Sequence, residues 1–154
     1  LGLILAQNPE LLILDDFSLG LDPGYRRLFV DYLRDYARSE NKTVFLTSHI
    51  IQDMERLIDD CIIMDYGSIL IQQPIETLMK GLRKYTCTVP EGYQPQLPVT
   101  CYHPAVIRQT LETYSFLPPS DVEGLLKENQ VPFTGLQHEN VGLEDAFIGL
   151  TGKY

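Results

Sequence analysis

The hydrophobic positions along the chain fall into short unbroken runs and longer helical stripes. "LLIL" (residues 11–14) and "VFL" (residues 44–46) are runs of strand length, and polar residues follow each of them. Unbroken runs of this length predict strands that are covered on both faces. Between them, apolar residues at i, i+3 and i+4 spacing from Tyr25 to Tyr36 predict an amphipathic helix that ends at residues 39–41. Asp22 is placed to cap this helix and Pro23 to open it.

The rest of the chain divides into two parts that differ in composition and in predicted elements. A helix is predicted around residues 51–58, then two strands joined by a turn at Asp65 to Gly67, then a short helix beginning at Pro74. After Tyr85 the chain is rich in proline, and a helical stripe at residues 105–114 precedes a capping box at Ser120 and Glu123. A strand at residues 131–136 and a closing helix at residues 142–152 complete the pattern. We therefore predict an α/β core with mostly parallel strands, followed by a small α+β extension.

Three polar side chains lie where the two predicted parallel strands end. Asp15 and Asp16 follow the first strand, and His49 follows the second. Since ligands of such sheets bind at the carboxyl ends of the strands, these side chains are expected to face one cleft. A strand-end carboxylate suits Mg²⁺, and a neighbouring one suits an attacking water, which is the division of labour in phosphoryl transfer. On residue types alone, a solvated loop, a structural histidine and a simple helix cap at Asp22 are the alternative interpretations.

Composition narrows the classes of function. The net charge is −9, from 12 basic and 21 acidic residues, which argues against a nucleic-acid binder and against electrostatic attachment to anionic lipid. Three cysteines without paired spacing predict neither a disulfide framework nor a zinc site, and they are expected to be buried thiols. No apolar run approaches the roughly 20 residues that span a bilayer.

The ordered set of motifs resembles the C-terminal half of an ATP-binding cassette (ABC) transporter ATPase. "LLILDD" is similar to the Walker B strand of that family, "SLGLDP" to its D-loop and "VFLTSH" to its switch-histidine strand. The resemblance is strong from residue 1 to about residue 82 and weaker in the tail, where "LEDAFIGLTGK" (residues 143–153) is similar to the closing helix of exporter cassettes. We predict residues 1–84 as part of a P-loop NTPase nucleotide-binding domain and residues 85–154 as a C-terminal extension, a candidate regulatory module.

The resemblance implies roles at the matching positions. Asp15 would hold Mg²⁺, and Asp16 would take the place of the glutamate that polarises the attacking water. His49 would contact the γ-phosphate of ATP. The loop from Ser18, with Asp22, would reach the second ATP site across the interface of a head-to-tail dimer. The implied partners are a second ATPase subunit and a membrane permease, without nucleic acid. The implied location is cytoplasmic, on the inner face of the membrane.

The chain departs from the family pattern in two respects. Asp16 and Phe17 stand where the family has Glu and Pro, and the shorter carboxylate leaves open whether the site hydrolyses ATP. The phosphate-binding loop G-x-x-x-x-G-K-[ST] and the Leu-Ser-Gly-Gly-Gln signature are absent from the sequence. We therefore expect a fragment that is inactive alone. The alternatives are a non-transport ABC protein and a catalytically degenerate cassette with a regulatory or interaction module.

Overall fold

A computed structural model describes residues 2–52 and 54–153. The helices are α1 (Gly2–Ala6), α2 (Pro23–Ser39), α3 (Ile75–Gly81), α4 (Pro119–Glu128) and α5 (Leu143–Thr151). The strands are β1 (Leu11–Asp15), β2 (Thr43–Thr47), β3 (Asp60–Asp65), β4 (Ser68–Pro74), β5 (Arg83–Thr88), β6 (Tyr102–Ile107), β7 (Thr110–Ser115) and β8 (Thr134–Asn140). The chain is thus a mixed α/β protein, in two compact units of residues 1–58 and 59–154. The predicted boundary between residues 84 and 85, drawn where the proline-rich composition begins, stays a prediction.

The first unit is a parallel strand pair, β1 and β2, with α2 packed on one face. Leu12 and Leu14 of β1 form a buried cluster with Leu33 of α2. The alternate side chains of β1, Leu11 and Ile13, are exposed. The prediction that both faces of this strand are covered is therefore wrong for the described chain, because α2 covers only one side.

Helix α2 begins where the sequence predicts. Oδ1 of Asp22 accepts hydrogen bonds from the backbone N–H groups of Gly24, at 2.9 Å, and Tyr25, at 3.2 Å. Pro23 occupies the first helical position, where no N–H is needed. The predicted apolar stripe, however, is only partly buried, since Leu33 is inside whereas Leu28 is exposed.

The cap at Asp22 leads to a stability prediction. Asp22→Ala should lower the free energy of unfolding of the first unit by about 0.5–2 kcal/mol, because two backbone N–H groups lose their acceptor. Asp22→Asn keeps a side-chain oxygen and should change it by only a few tenths. Urea unfolding followed by circular dichroism measures both. Equal losses in the two variants would show that the carboxylate charge matters rather than the cap.

The second unit contains two antiparallel sheets. Strands β3 and β4 form the predicted hairpin, with Asp65 opposite Ser68 and a two-residue turn at Tyr66 and Gly67. Both turn residues have positive φ, as tight hairpin turns require. The other sheet has the order β6-β7-β5-β8, and Tyr85 of β5 packs with Leu111 of β7 in its buried core.

Four local predictions need correction. The helical stripe at residues 105–114 is the hairpin of β6 and β7, whose turn holds Arg108 at φ +58°. The helix expected around residues 51–58 is a single 3₁₀ turn at Met54–Arg56, and Asp53 lies outside the described residues. Ser120 is not a cap, since α4 begins at Pro119. Parallel pairing is confined to β1 and β2 within the described residues.

The three cysteines are buried free thiols, as predicted. Burial raises the pKa of Cys61, Cys87 and Cys101, which keeps them protonated and unreactive. Across the described residues, no helix is both long and apolar enough to cross a membrane.

Candidate functional site

The parallel pairing of β1 and β2 brings the candidate residues to one edge. The two strands are aligned from Leu11 opposite Thr43 to Asp15 opposite Thr47. Asp15 is thus the last residue of β1, and its partner is the last residue of β2. The expectation that both strand ends lie together is confirmed, because the hydrogen bonds between the strands fix that register.

Asp16 turns the chain sharply at the end of β1. Its φ is +44°, a left-handed conformation that aspartate and asparagine tolerate better than most other residues with a side chain. Its N–H still points to β2, where it lies 3.1 Å from the carbonyl oxygen of Thr47. The turn therefore begins without losing the last contact between the strands.

Asp16 and His49 contact each other directly. Oδ1 of Asp16 lies 2.8 Å from Nδ1 of His49, although 33 positions separate the residues in the sequence. That oxygen accepts no hydrogen bond of normal geometry within residues 2–52 and 54–153, so the contact is a close approach of two ionisable groups. The imidazole side chain is 62% exposed and the carboxylate 33%. The two groups to which the resemblance assigns water and γ-phosphate contacts are therefore neighbours at an accessible edge.

Asp15 has a different partner. The hydroxyl of Thr47 donates a hydrogen bond to Oδ1 of Asp15. The same hydroxyl oxygen accepts from the N–H of Asp16 at 3.0 Å. Analysis of the sequence did not identify Thr47 as a site residue. The register of β1 against β2 identifies it, because that register places Thr47 opposite Asp15.

The loop after Asp16 places the other predicted residues. The N–H of Leu19 donates to the Asp16 carbonyl, and Gly20 has φ +82°. Ser18 is fully buried, and its hydroxyl has no hydrogen-bond partner in the part of the chain that the structure describes. The side chain of Asp22 is engaged as the cap of α2. Their roles at a second nucleotide site stay predictions.

The side chains at the strand ends suit a magnesium site that phosphate oxygens and water complete, rather than one built from protein ligands alone. No group of three acidic, histidine or cysteine side chains that could hold a metal occurs among the described residues. Magnesium commonly takes only one or two carboxylates, with phosphate oxygens and water completing its shell. Asp15 fits as such a single carboxylate ligand, and bound magnesium would neutralise charge on the phosphates.

A separate cavity lies elsewhere in the first unit. An open apolar groove of about 690 Å³ lies between α1 and α2, next to Leu21. None of Asp15, Asp16 and His49 lines it, and it carries no charged side chain. The groove therefore offers a nucleotide phosphate no cationic side chain.

Comparison with curated proteins agrees with the motifs. The chain is 32% identical to Nod factor export ATP-binding protein I of Ralstonia nicotianae, across 97% of the chain and 49% of that protein. The chain is homologous to ATP-binding proteins of ABC transporters. The same-named protein of Burkholderia orbicola is 29% identical over the same shares. Energy-coupling factor transporter ATP-binding protein EcfA2 of Clostridioides difficile is 41% identical over 66 residues, 43% of the chain and 23% of that protein.

The match covers about half of each Nod factor export relative, so the chain spans about half the length of these proteins. No protein-family model matches it. The resemblance to ABC transporter ATP-binding proteins is thus confirmed, whereas the roles of single residues stay predictions.

Proposed function

We propose that the chain is the C-terminal part of an ATP-hydrolysing subunit of an ABC transporter. The observation that carries the proposal is the contact between Asp16 and His49, formed where two parallel strands end, in a homologue of such subunits. Asp15 would bind Mg²⁺, Asp16 would orient and deprotonate the attacking water, and His49 would contact the γ-phosphate. These roles need carboxylates and an imidazole at one accessible edge, which is where the three side chains lie.

The other half of the cassette would complete the nucleotide site. The chain lacks a phosphate-binding loop, so most contacts to ATP must come from elsewhere. Leu11, Ile13 and Phe45 form an exposed apolar face on the β1–β2 pair. The half-length match to the relatives supports the idea that the rest of the cassette covers this face.

The proposed setting is a transporter with two such subunits and a membrane permease, on the inner face of the membrane. A second subunit would approach the loop from Ser18 to Asp22. Residues 1–84 would belong to the nucleotide-binding domain, and residues 85–154 would form a regulatory extension. Exporting and energy-coupling factor proteins both occur among the relatives.

Magnesium-dependent ATP hydrolysis tests the proposal. In the complete cassette, meaning the protein extended to the length of its relatives, we expect turnover that chelation abolishes. Asp15→Asn should raise the magnesium concentration for half-maximal rate about tenfold or more, because a carboxylate ligand becomes a neutral amide. Phosphate release at varied magnesium concentration measures this.

The control is Glu10→Gln, which removes a charge from the exposed residue just before β1. Its magnesium requirement should equal that of the unmodified protein. A complete cassette that binds no ATP, or an Asp15→Asn variant with an unchanged magnesium requirement, would contradict the proposal.

A further inference from the structure

We propose that Thr47 is a positioning residue that holds Asp15 and Asp16 in their working arrangement, an inference that rests on the proposed function. One hydroxyl group joins the side chain of the first aspartate to the backbone of the second. Neither the motifs nor the relatives assign this residue a role.

The two hydrogen bonds are mutually consistent. A threonine hydroxyl has one donor and two acceptor positions. The donor goes to Oδ1 of Asp15, and an acceptor position takes the N–H of Asp16 at 3.0 Å. The hydroxyl therefore has one fixed orientation and serves both aspartates at once.

Each hydrogen bond restrains one of the two aspartates to which the proposed reaction assigns a role. Through the first, the Asp15 carboxylate is held in one rotamer. Through the second, the hydroxyl shares the Asp16 N–H with the carbonyl oxygen of Thr47, and both acceptors support Asp16 at φ +44°, a sparsely populated conformation. That backbone conformation directs the Asp16 carboxylate to His49.

The hydroxyl is not needed to build the strand. A β-branched residue is favoured in a strand, and valine has nearly the same shape as threonine. Thr43 lies on the same face of β2 at its other end, and no side-chain hydrogen bond of Thr43 occurs within the described residues. A threonine-to-valine change therefore removes the two hydrogen bonds at Thr47 and removes no side-chain hydrogen bond between described residues at Thr43.

The kinetic test compares Thr47→Val, Thr47→Ser and Thr43→Val in the complete cassette. We expect Thr47→Val to lower kcat about tenfold to a hundredfold, since small misplacements of reacting groups have effects of that size. The KM for ATP should stay within about twofold, because the nucleotide is held mainly by other groups. Thr47→Ser should restore most of kcat, and Thr43→Val should leave it unchanged.

The outcomes separate the two proposals. If the unmodified cassette is silent, the proposed function fails. If it is active and Thr47→Val is equally active, the role of Thr47 fails. A loss in Thr47→Val that Thr47→Ser does not restore, or an equal loss in Thr43→Val, would indicate a strand defect and would also overturn the role.

A spectroscopic test on the 154-residue chain does not depend on hydrolysis. Three-bond couplings report the side-chain rotamers of Asp15, and hydrogen exchange reports the N–H of Asp16. We expect one dominant Asp15 rotamer in the unmodified chain, Thr47→Ser and Thr43→Val. Thr47→Val should show rotamer averaging at Asp15, whereas exchange of the Asp16 N–H should quicken only slightly, because the carbonyl oxygen of residue 47 still lies 3.1 Å from it. An unchanged Asp15 rotamer in Thr47→Val would overturn the inference even if the cassette were silent.

Discussion

Asp16→Asn in the complete cassette is expected to lower ATP turnover by about a hundredfold or more, which is the usual contribution of a general base. An amide of the same shape cannot take a proton from water. Asparagine also tolerates positive φ, so the conformation at φ +44° should persist in the variant. The loss would then report the missing carboxylate rather than a refolded loop. Phosphate release at saturating Mg²⁺ and ATP measures the rate.

Asp35→Asn is the matched control for this experiment. Asp35 is an exposed carboxylate on α2 that pairs with Arg34, and its change to Asn removes the same charge at a distance from the strand ends. Its turnover should equal that of the unmodified cassette. Full turnover in Asp16→Asn would contradict the assignment of Asp16 as the base.

Asp16→Glu separates an active site from a degenerate one. Glutamate is the residue of the family pattern, but it adopts a left-handed conformation less readily than aspartate does. We expect this conformation to cost glutamate about 1 kcal/mol. If the unmodified site works, Asp16→Glu should bring no gain in rate. A silent cassette that Asp16→Glu activates would instead identify a site that binds ATP without hydrolysing it.

The second large effect concerns stability. Gly149→Ala should lower the free energy of unfolding of the second unit by about 1–3 kcal/mol, because α5 lies directly against an aromatic ring. A Cβ atom at Gly149 would stand 2.4 Å from Cδ1 and 2.5 Å from Cγ of Tyr114. Such distances force the helix or the ring to move. Urea denaturation monitored by circular dichroism measures the loss.

Gly124→Ala is the control, since Gly124 lies in α4 and no atom approaches the position of its Cβ within 4 Å. That variant should be more stable by about 0.5–1 kcal/mol, because alanine favours a helix over glycine. A Tyr114→Ala background should remove most of the Gly149→Ala penalty, as a double-mutant cycle of contacting residues would show. Equal effects of the two glycine changes would contradict close packing at Tyr114.

Predictions from the sequence succeeded where the signal is local. Asp22 and Pro23 mark the start of α2 because capping depends on neighbouring residues along the chain. The turn at Asp65 to Gly67 was likewise predictable, because Gly67 accepts positive φ at no steric cost. The stripe at residues 105–114 failed because Val106, Ile107 and Thr110 suit a helical spacing and a hairpin equally well, and pairing with β5 decided between them.

The sequence by itself determined which residues are candidates for the site and which family of proteins the chain resembles. The carboxylates at a strand end, the histidine at the next and the order of motifs are properties of the chain, and its similarity to ABC transporter ATP-binding proteins agrees with the family that the motifs resemble. Only the tertiary structure decided which side chains meet. The register of β1 and β2 placed Thr47 against Asp15, and the turn at φ +44° brought Asp16 to His49. Strand register depends on residues far apart in sequence, so no local pattern could have supplied those contacts.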